Sequence, residues 1–160
     1  MGGWHRVGLC WAKRIAMLEN PSKIFLVDDD PFCRQLMEHA IRGLGFSNVQ
    51  AFDNGASCLD ALIEEPEIIF LDQMMGSVSG TDALKAIKRF NPDIYVVLVS
   101  GQQQVQVAVD SLKYGAFDYV VKDEQLTDRL TSVLAKIAQV QELLASRQKA
   151  KPRFLSLFSL

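Results

Sequence analysis

The sequence predicts a doubly wound α/β sandwich: five parallel strands in the order 2-1-3-4-5, with five helices over the two faces and the last helix extended. Two observations predict it. Apolar runs of strand length alternate strictly with helical stretches, joined by loops of a few residues. Parallel strands linked by right-handed helical crossovers follow from that alternation. Four of the runs also end abruptly in polar residues. Lys23–Val27 runs into Asp28-Asp29-Asp30, Glu67–Leu71 into Asp72, Ile94–Val99 into Ser100, and Phe117–Val121 into Lys122. A short apolar run bounded by turn signals reads as a strand buried on both faces, and each polar residue marks where its strand leaves the sheet.

The elements follow in order. Asp30-Pro31 supplies an N-cap acid and a proline at the first helical position. The helix it opens runs to about Leu44, with Phe32, Leu36, Met37, Ala40, Ile41 and Leu44 on the expected buried side. Gly43 and Gly45 punctuate its end, and His39 reads as a half-exposed helical residue. Asn48–Phe52 is a short strand at a sheet edge. Asp53-Asn54-Gly55 caps a second helix that ends near Glu65-Pro66. A glycine- and serine-rich loop, Gly76 to Gly80, follows Asp72, and a helix over Thr81–Phe90 stops at Asn91-Pro92. The next helix spans about Val105 to Tyr114 and is ended by Gly115. In the last, Leu126, Leu130, Val133, Ile137, Val140 and Leu144 alternate by four and three along a helix running to about Lys149. Its first half covers the sheet. Its second half has nothing of its own domain to cover it, which leaves either pairing with another chain, as a homodimer, or fraying into solvent.

Composition bounds the rest. The chain has 160 residues, 49% of them hydrophobic and 22% charged, which suits one soluble domain with some excess length. A net charge of −2 with no clustered basic face gives no case for direct nucleic-acid binding. Cys10, Cys33 and Cys58 form no metal-ligand pattern and read as buried free thiols in a reducing cytoplasm. No apolar run approaches the roughly 20 residues of a membrane span. Residues 1–21 read as a flexible N-terminal extension, 22–137 as the folded domain, and 138–160 as a helical extension with an apolar tail.

In an open parallel sheet, ligands bind outside the carboxyl ends of the strands. The order 2-1-3-4-5 places Asp28 and Asp29 beside Asp72. Carboxylates gathered in this way raise one another's pKa unless a cation intervenes, and an oxygen-only donor set favours magnesium. Asp72 has the chemistry to be a nucleophile that accepts a phosphoryl group. Lys122 offers a compact charge for a phosphoryl oxygen, and Ser100 offers a hydroxyl donor. Taken singly, each acid reads as a solvated turn or capping residue. All four positions at equivalent strand ends make a site.

On these residues the chain resembles the receiver domain of bacterial two-component response regulators, a flavodoxin-like fold, over residues 22 to about 137. The resemblance implies that Asp28 and Asp29 are the acidic pair that binds Mg2+, and that Asp72 is the phosphoacceptor. It also implies a metal-ligating backbone carbonyl at Met74, a switch hydroxyl at Ser100, a switch aromatic at Tyr119 and the phosphoryl-gripping lysine at Lys122. Chemistry is then confined to phosphorylation and dephosphorylation of Asp72, without turnover of a separate substrate. The implied partners are a histidine kinase or phosphotransfer protein upstream and a protein partner downstream of a stand-alone receiver. Three positions depart from the family pattern. Gly76 stands after Met75 where Met-Pro is common, Ser79 precedes Gly80 where Asp or Asn is usual, and Asp123 follows Lys122 where proline is usual. That Lys-Pro bond is often cis, so Asp123 raises the question of how Lys122 is aimed, and it adds a negative charge nearby. These departures leave open a phosphate-independent interaction module. A phosphatase of the haloacid dehalogenase type would need a second acid where Met74 stands, and the acids of Asp28–Asp30 would repel a flavin phosphate.

Overall fold

The computed structural model describes residues 22–76, 78–101 and 105–149. The extension expected over 1–21, with Cys10, and the apolar tail expected from residue 150 lie outside these. Five strands, β1 (Ile24–Val27), β2 (Val49–Phe52), β3 (Ile68–Asp72), β4 (Tyr95–Ser100) and β5 (Asp118–Val121), form one parallel sheet in the order β2-β1-β3-β4-β5. The helices are α1 (Pro31–Gly43), α2 (Gly55–Asp60), α3 (Gly80–Phe90), α4 (Val105–Lys113) and α5 (Leu126–Lys149). The sheet therefore has the expected order, and it reverses between β1 and β3. Val27 pairs with Leu71 across that junction, so the next residue on each strand, Asp28 and Asp72, emerge side by side.

Both faces of the sheet are covered, which is why the three central strands, β1, β3 and β4, are apolar up to their polar ends, while the edge strands β2 and β5 are only partly buried. On one face Met37 and Ile41 of α1, with Leu126, Leu130, Val133, Leu134 and Ile137 of α5, bury Ile24, Leu26, Ile68, Phe70, Val97 and Val99. On the other, Cys58 of α2 and Leu62 join Ala83, Leu84 and Ile87 of α3 over Phe25, Val27, Ile69, Leu71, Val96 and Leu98. The right-handed crossover from β4 to β5 puts α4 on this second face. Each large side chain buried in this way contributes about 1.5–3 kcal/mol. Burial pushes the Cys58 thiol up to about 12, so it is an inert core residue.

Four local expectations are adjusted. The apolar stripe of α1 is narrower than its sequence implies, because Phe32 is 72% and Leu36 39% exposed. The helix starts at the carboxyl end of β1, so its first turn overhangs the strand ends; Met37 and Ile41 are buried in the core, and Ala40 and Leu44 pack against it partly buried. The segment before Pro66 is a short α2 followed by a tighter 3-10 turn, Ala61–Glu64, closed by Glu65 in the left-handed region (φ 56°). His39 is exposed. Along α5, Gln141 Nε2 donates to Glu67 Oε2 at 3.3 Å, so the helix follows the domain one turn beyond Ile137 before Leu143 and Leu144 turn into solvent.

Candidate functional site

The polar strand ends are fixed by hydrogen bonds within their turns and to neighbouring elements. After β1 the chain turns through Asp28–Asp30. The Asp30 amide donates to Asp28 Oδ1 (3.0 Å), and Asp30 Oδ1 accepts from the Phe32 amide (2.9 Å), capping α1 with Pro31 at its first position. That amide, then Cys33, holds the Asp30 carboxyl below its usual range. Arg34, one turn into α1, donates from Nη1 to the Asp28 carbonyl at 2.5 Å and pins the turn from the helix side. After β3 the Gln73 amide continues the ladder to the Val99 carbonyl (3.0 Å), and the Gly80 amide returns to the Gln73 carbonyl (3.0 Å). After β5 the Lys122 amide donates to the Ser100 carbonyl at 2.8 Å.

These turns bring Asp28, Asp29, Asp72 and Lys122 together. Asp28 and Asp72 are buried and Asp29 is exposed, and one carboxylate oxygen from each of the three lies within 4.8 Å of the others. Lys122 Nζ sits 2.7 Å from Asp28 Oδ2 and 2.9 Å from Asp72 Oδ1. Burial is the largest influence on the Asp72 carboxyl and pushes it above the usual range; Lys122 works against this, and Asp28 adds to it. Burial also pulls hardest on the Lys122 ammonium, downward, but the two carboxylates together hold it above an ordinary lysine. Ser100 is buried at the end of β4, and Tyr119 is half-buried on β5, paired in register with Leu98. The side chain of Met74 is exposed on the loop after Asp72.

The donor set fits a hard divalent cation. Asp28 Oδ2 is fully buried, with the Lys122 ammonium 2.7 Å away, and that single ammonium is shared with Asp72. Three gathered carboxylates exceed one positive charge, and buried charge left over is costly unless another cation answers it. Three oxygen donors around one small space, with no nitrogen or sulfur ligand among them, match magnesium's preference for carboxylates, waters and a phosphate. Asp28, Asp29 and Asp72 would hold it, and the resemblance adds the Met74 carbonyl.

The question raised by Asp123 has a structural answer. No cis peptide bond occurs among the described residues, and Lys122 reaches both carboxylates from a trans linkage. The charge of Asp123 is turned to α5, where Oδ2 accepts from Arg129 Nη2 at 2.8 Å. Ser79 caps α3, its Oγ accepting from the Asp82 amide at 3.2 Å, which is the work an Asp or Asn would do there. Sequence reasoning missed Arg34, Gln73 (whose amide bonds the Thr81 hydroxyl at 3.0 Å) and Arg129. Arg34 was detectable as a cation one helical turn after the capping acid. Arg129 was not, because its partner lies six residues away, across a turn.

A doubly wound sheet with acids at its switch point and a lysine just past the end of the edge strand defines a receiver-type site. The comparisons place the chain in that family. The response regulator receiver domain matches residues 24–135, and the chain belongs to this family. It is 32% identical over 118 residues to the chemotaxis protein CheY of Listeria monocytogenes, covering 73% of this chain and 98% of that one. It is also 32% identical over 120 residues to the DNA-binding transcriptional regulator NtrC of Escherichia coli, covering 74% of this chain but only 25% of NtrC. The chain thus spans about a quarter of the length of that relative. The receiver domain of NtrX from Brucella abortus superposes with a TM-score of 0.65 at 28% identity, covering 72% of this chain and 97% of that domain.

Proposed function

We propose that the protein is a phosphorylation-dependent signalling switch that accepts a phosphoryl group on Asp72 in a magnesium-dependent reaction. The observation that carries this reading is the Asp72–Lys122 contact of 2.9 Å, set beside two further carboxylates in one shallow crevice. One oxygen of Asp72 is occupied by the ammonium; the other attacks the phosphorus of a phosphohistidine on a histidine kinase or phosphotransfer protein. The P–N bond breaks, and its electron pair stays with the imidazole nitrogen. Lys122 balances the charge on the transferring group, since phosphoryl transfer depends mainly on positioning and charge stabilisation. Magnesium, when bound, neutralises the carboxylates and the phosphoryl oxygens.

Ser100 then bonds a phosphoryl oxygen, and Tyr119 moves into the space this vacates. The change alters the face formed by α4, β5 and α5 and is passed to a protein partner, as a two-state element biased by local charge. The exposed Phe32 and Leu36 on α1, at the rim of the crevice, support docking of the phosphodonor there. The exposed Leu143 and Leu144 support the end of α5 as the contact of a homodimer, which sedimentation at several concentrations would test. No helix among the described residues is long and apolar enough to cross a membrane, and we place the switch in the cytoplasm.

The test is intact mass after incubation with acetyl phosphate, with and without magnesium, for the native chain and Asp72→Asn. A gain of one phosphoryl group that requires both magnesium and Asp72 is expected. No gain in a folded native chain would overturn the reading in favour of a phosphate-independent module.

A further inference from the structure

We infer that Asp123 and Arg129 are a positioning pair that holds Lys122 against Asp72, replacing with a salt-linked turn the rigidity that a proline would give. The inference rests on the reading of Lys122 as the group that balances phosphoryl charge. Lys122 stands one residue beyond β5, which among the described residues is an edge strand paired with β4 alone. The bond from its amide to the Ser100 carbonyl fixes it on that side alone. Its stem is four flexible carbons long, yet its ammonium must stay 2.7 and 2.9 Å from two carboxylates. Something must fix the backbone as it leaves the strand.

Asp123 supplies that constraint through both its backbone and its side chain. Its amide donates to the Val121 carbonyl (3.1 Å), closing a three-residue turn centred on Lys122, and its carbonyl accepts from the Leu126 amide (3.0 Å). Its Oδ1 accepts from the Gln125 amide (2.9 Å) and from Arg129 Nε (3.3 Å), and its Oδ2 accepts from Arg129 Nη2 (2.8 Å). The guanidinium fork thus grips both carboxylate oxygens, the arrangement with the most directional specificity for an acid. Arg129 is carried on α5 between Leu126 and Leu130, both buried in the core, so its own position is set by packing. The turn after Lys122 is therefore tied to α5 and not left to swing in solvent. A displacement of α5 by a bound partner would be transmitted to the Lys122 ammonium by this route.

The pair makes a prediction that a through-space charge does not. If Asp123 acted only by its charge, Asp123→Ala would ease approach of an anionic phosphodonor and speed phosphorylation. As a positioning residue, its loss slows it. The experiment uses the full chain as native protein, Asp123→Ala, Arg129→Gln, the double variant and Arg129→Lys. The first readout is the Lys122 side-chain ammonium resonance in 15N-labelled protein without phosphodonor. The second is the rate of phosphorylation by acetyl phosphate with magnesium. Both single variants are expected to move the Lys122 resonance toward that of a solvated lysine and to slow phosphorylation roughly tenfold, since small misplacements of a charge-balancing group are costly. The double variant is expected to be no worse than the worse single, and Arg129→Lys to recover part of the loss. The pair is partly exposed and adds little to global stability, so the variants remain folded, and the amide spectrum verifies that. A Lys122 resonance unchanged in both single variants, or a faster Asp123→Ala, would overturn the inference. A native chain that is never phosphorylated would instead overturn the proposed function, while the resonance still decides the positioning role.

Discussion

A Cβ atom on Gly80 would lie 2.7 Å from the Cα of Gln73 and would collide with the carbonyl oxygen of Asp72. The first residue of α3 is thus stacked directly on the turn that presents Asp72, backbone against backbone. Neither surface is a flexible side-chain tip, so nothing can give without moving the turn.

Gly80→Ala is therefore expected to destabilise the protein even though Ala is the better helix former by about 1 kcal/mol. Overpacking against backbone typically costs about 1–3 kcal/mol. A denaturant titration should show a lower midpoint, and phosphorylation by acetyl phosphate should slow further than the stability loss explains. A midpoint equal to the native one would mean that the β3–α3 turn yields easily.

Ser79, immediately before, offers a milder perturbation of the same turn. Its hydroxyl accepts from the Asp82 amide and donates to Asp82 Oδ2 at 2.8 Å. Ser79→Ala should cost on the order of 1 kcal/mol, the usual worth of such a cap, and Ser79→Asp should recover most of the capping bond. Thermal unfolding of the three proteins checks the order native ≥ Asp > Ala.

These two neighbours show what was legible in the sequence. Strand ends, sheet order and the four polar termini could be read because a buried parallel strand must be apolar and must end where water begins. Asp28, Asp72, Ser100 and Lys122 occupy those ends in the structure. The exposure of Phe32 was not legible, because periodicity tells which face a residue occupies but not how far the sheet beneath extends. Nor was the partner of Asp123, since a side chain that folds back across a turn leaves no fixed spacing. The role of Gly80 was hidden for a related reason: a glycine opening a helix says nothing about which backbone it will touch.

Magnesium should stabilise the fold through the same acids. Asp28 and Asp72 are buried and share one ammonium, that of Lys122, and Asp29 adds a third carboxylate beside them. A ligand present at a hundredfold over its dissociation constant raises stability by about 2.7 kcal/mol. The midpoint of thermal unfolding is expected to rise with magnesium in the native chain and to lose most of that rise in Asp29→Asn. The exposed position of Asp29 makes this substitution structurally benign. An equal rise in both proteins would remove Asp29 from the metal site.

Without magnesium, Asp72 itself is the costly charge. Its carboxyl is held above the usual range by burial first, with Asp28 adding to it, while Lys122 only partly compensates. The ammonium of Lys122 is held upward by the same carboxylates, so the pair taken alone favours its charged form. With three acids against one lysine, however, the surplus negative charge rests on the acids. The sign follows from proton uptake. Between the ordinary carboxyl pKa and the raised one, the folded state binds more protons than the unfolded, so stability falls as pH rises through that window. Above it, the ionised Asp72 is a standing cost; below it, the cost is gone. Asp72→Asn in the presence of a chelator should therefore be more stable than the native chain at pH 7, on the order of 1 kcal/mol. The advantage should shrink toward zero as the pH falls to about 4, into the ordinary range of an aspartate. Thermal unfolding of the two proteins across that range decides it: a variant less stable than native at pH 7 would mean that Lys122 repays the burial of Asp72 in full.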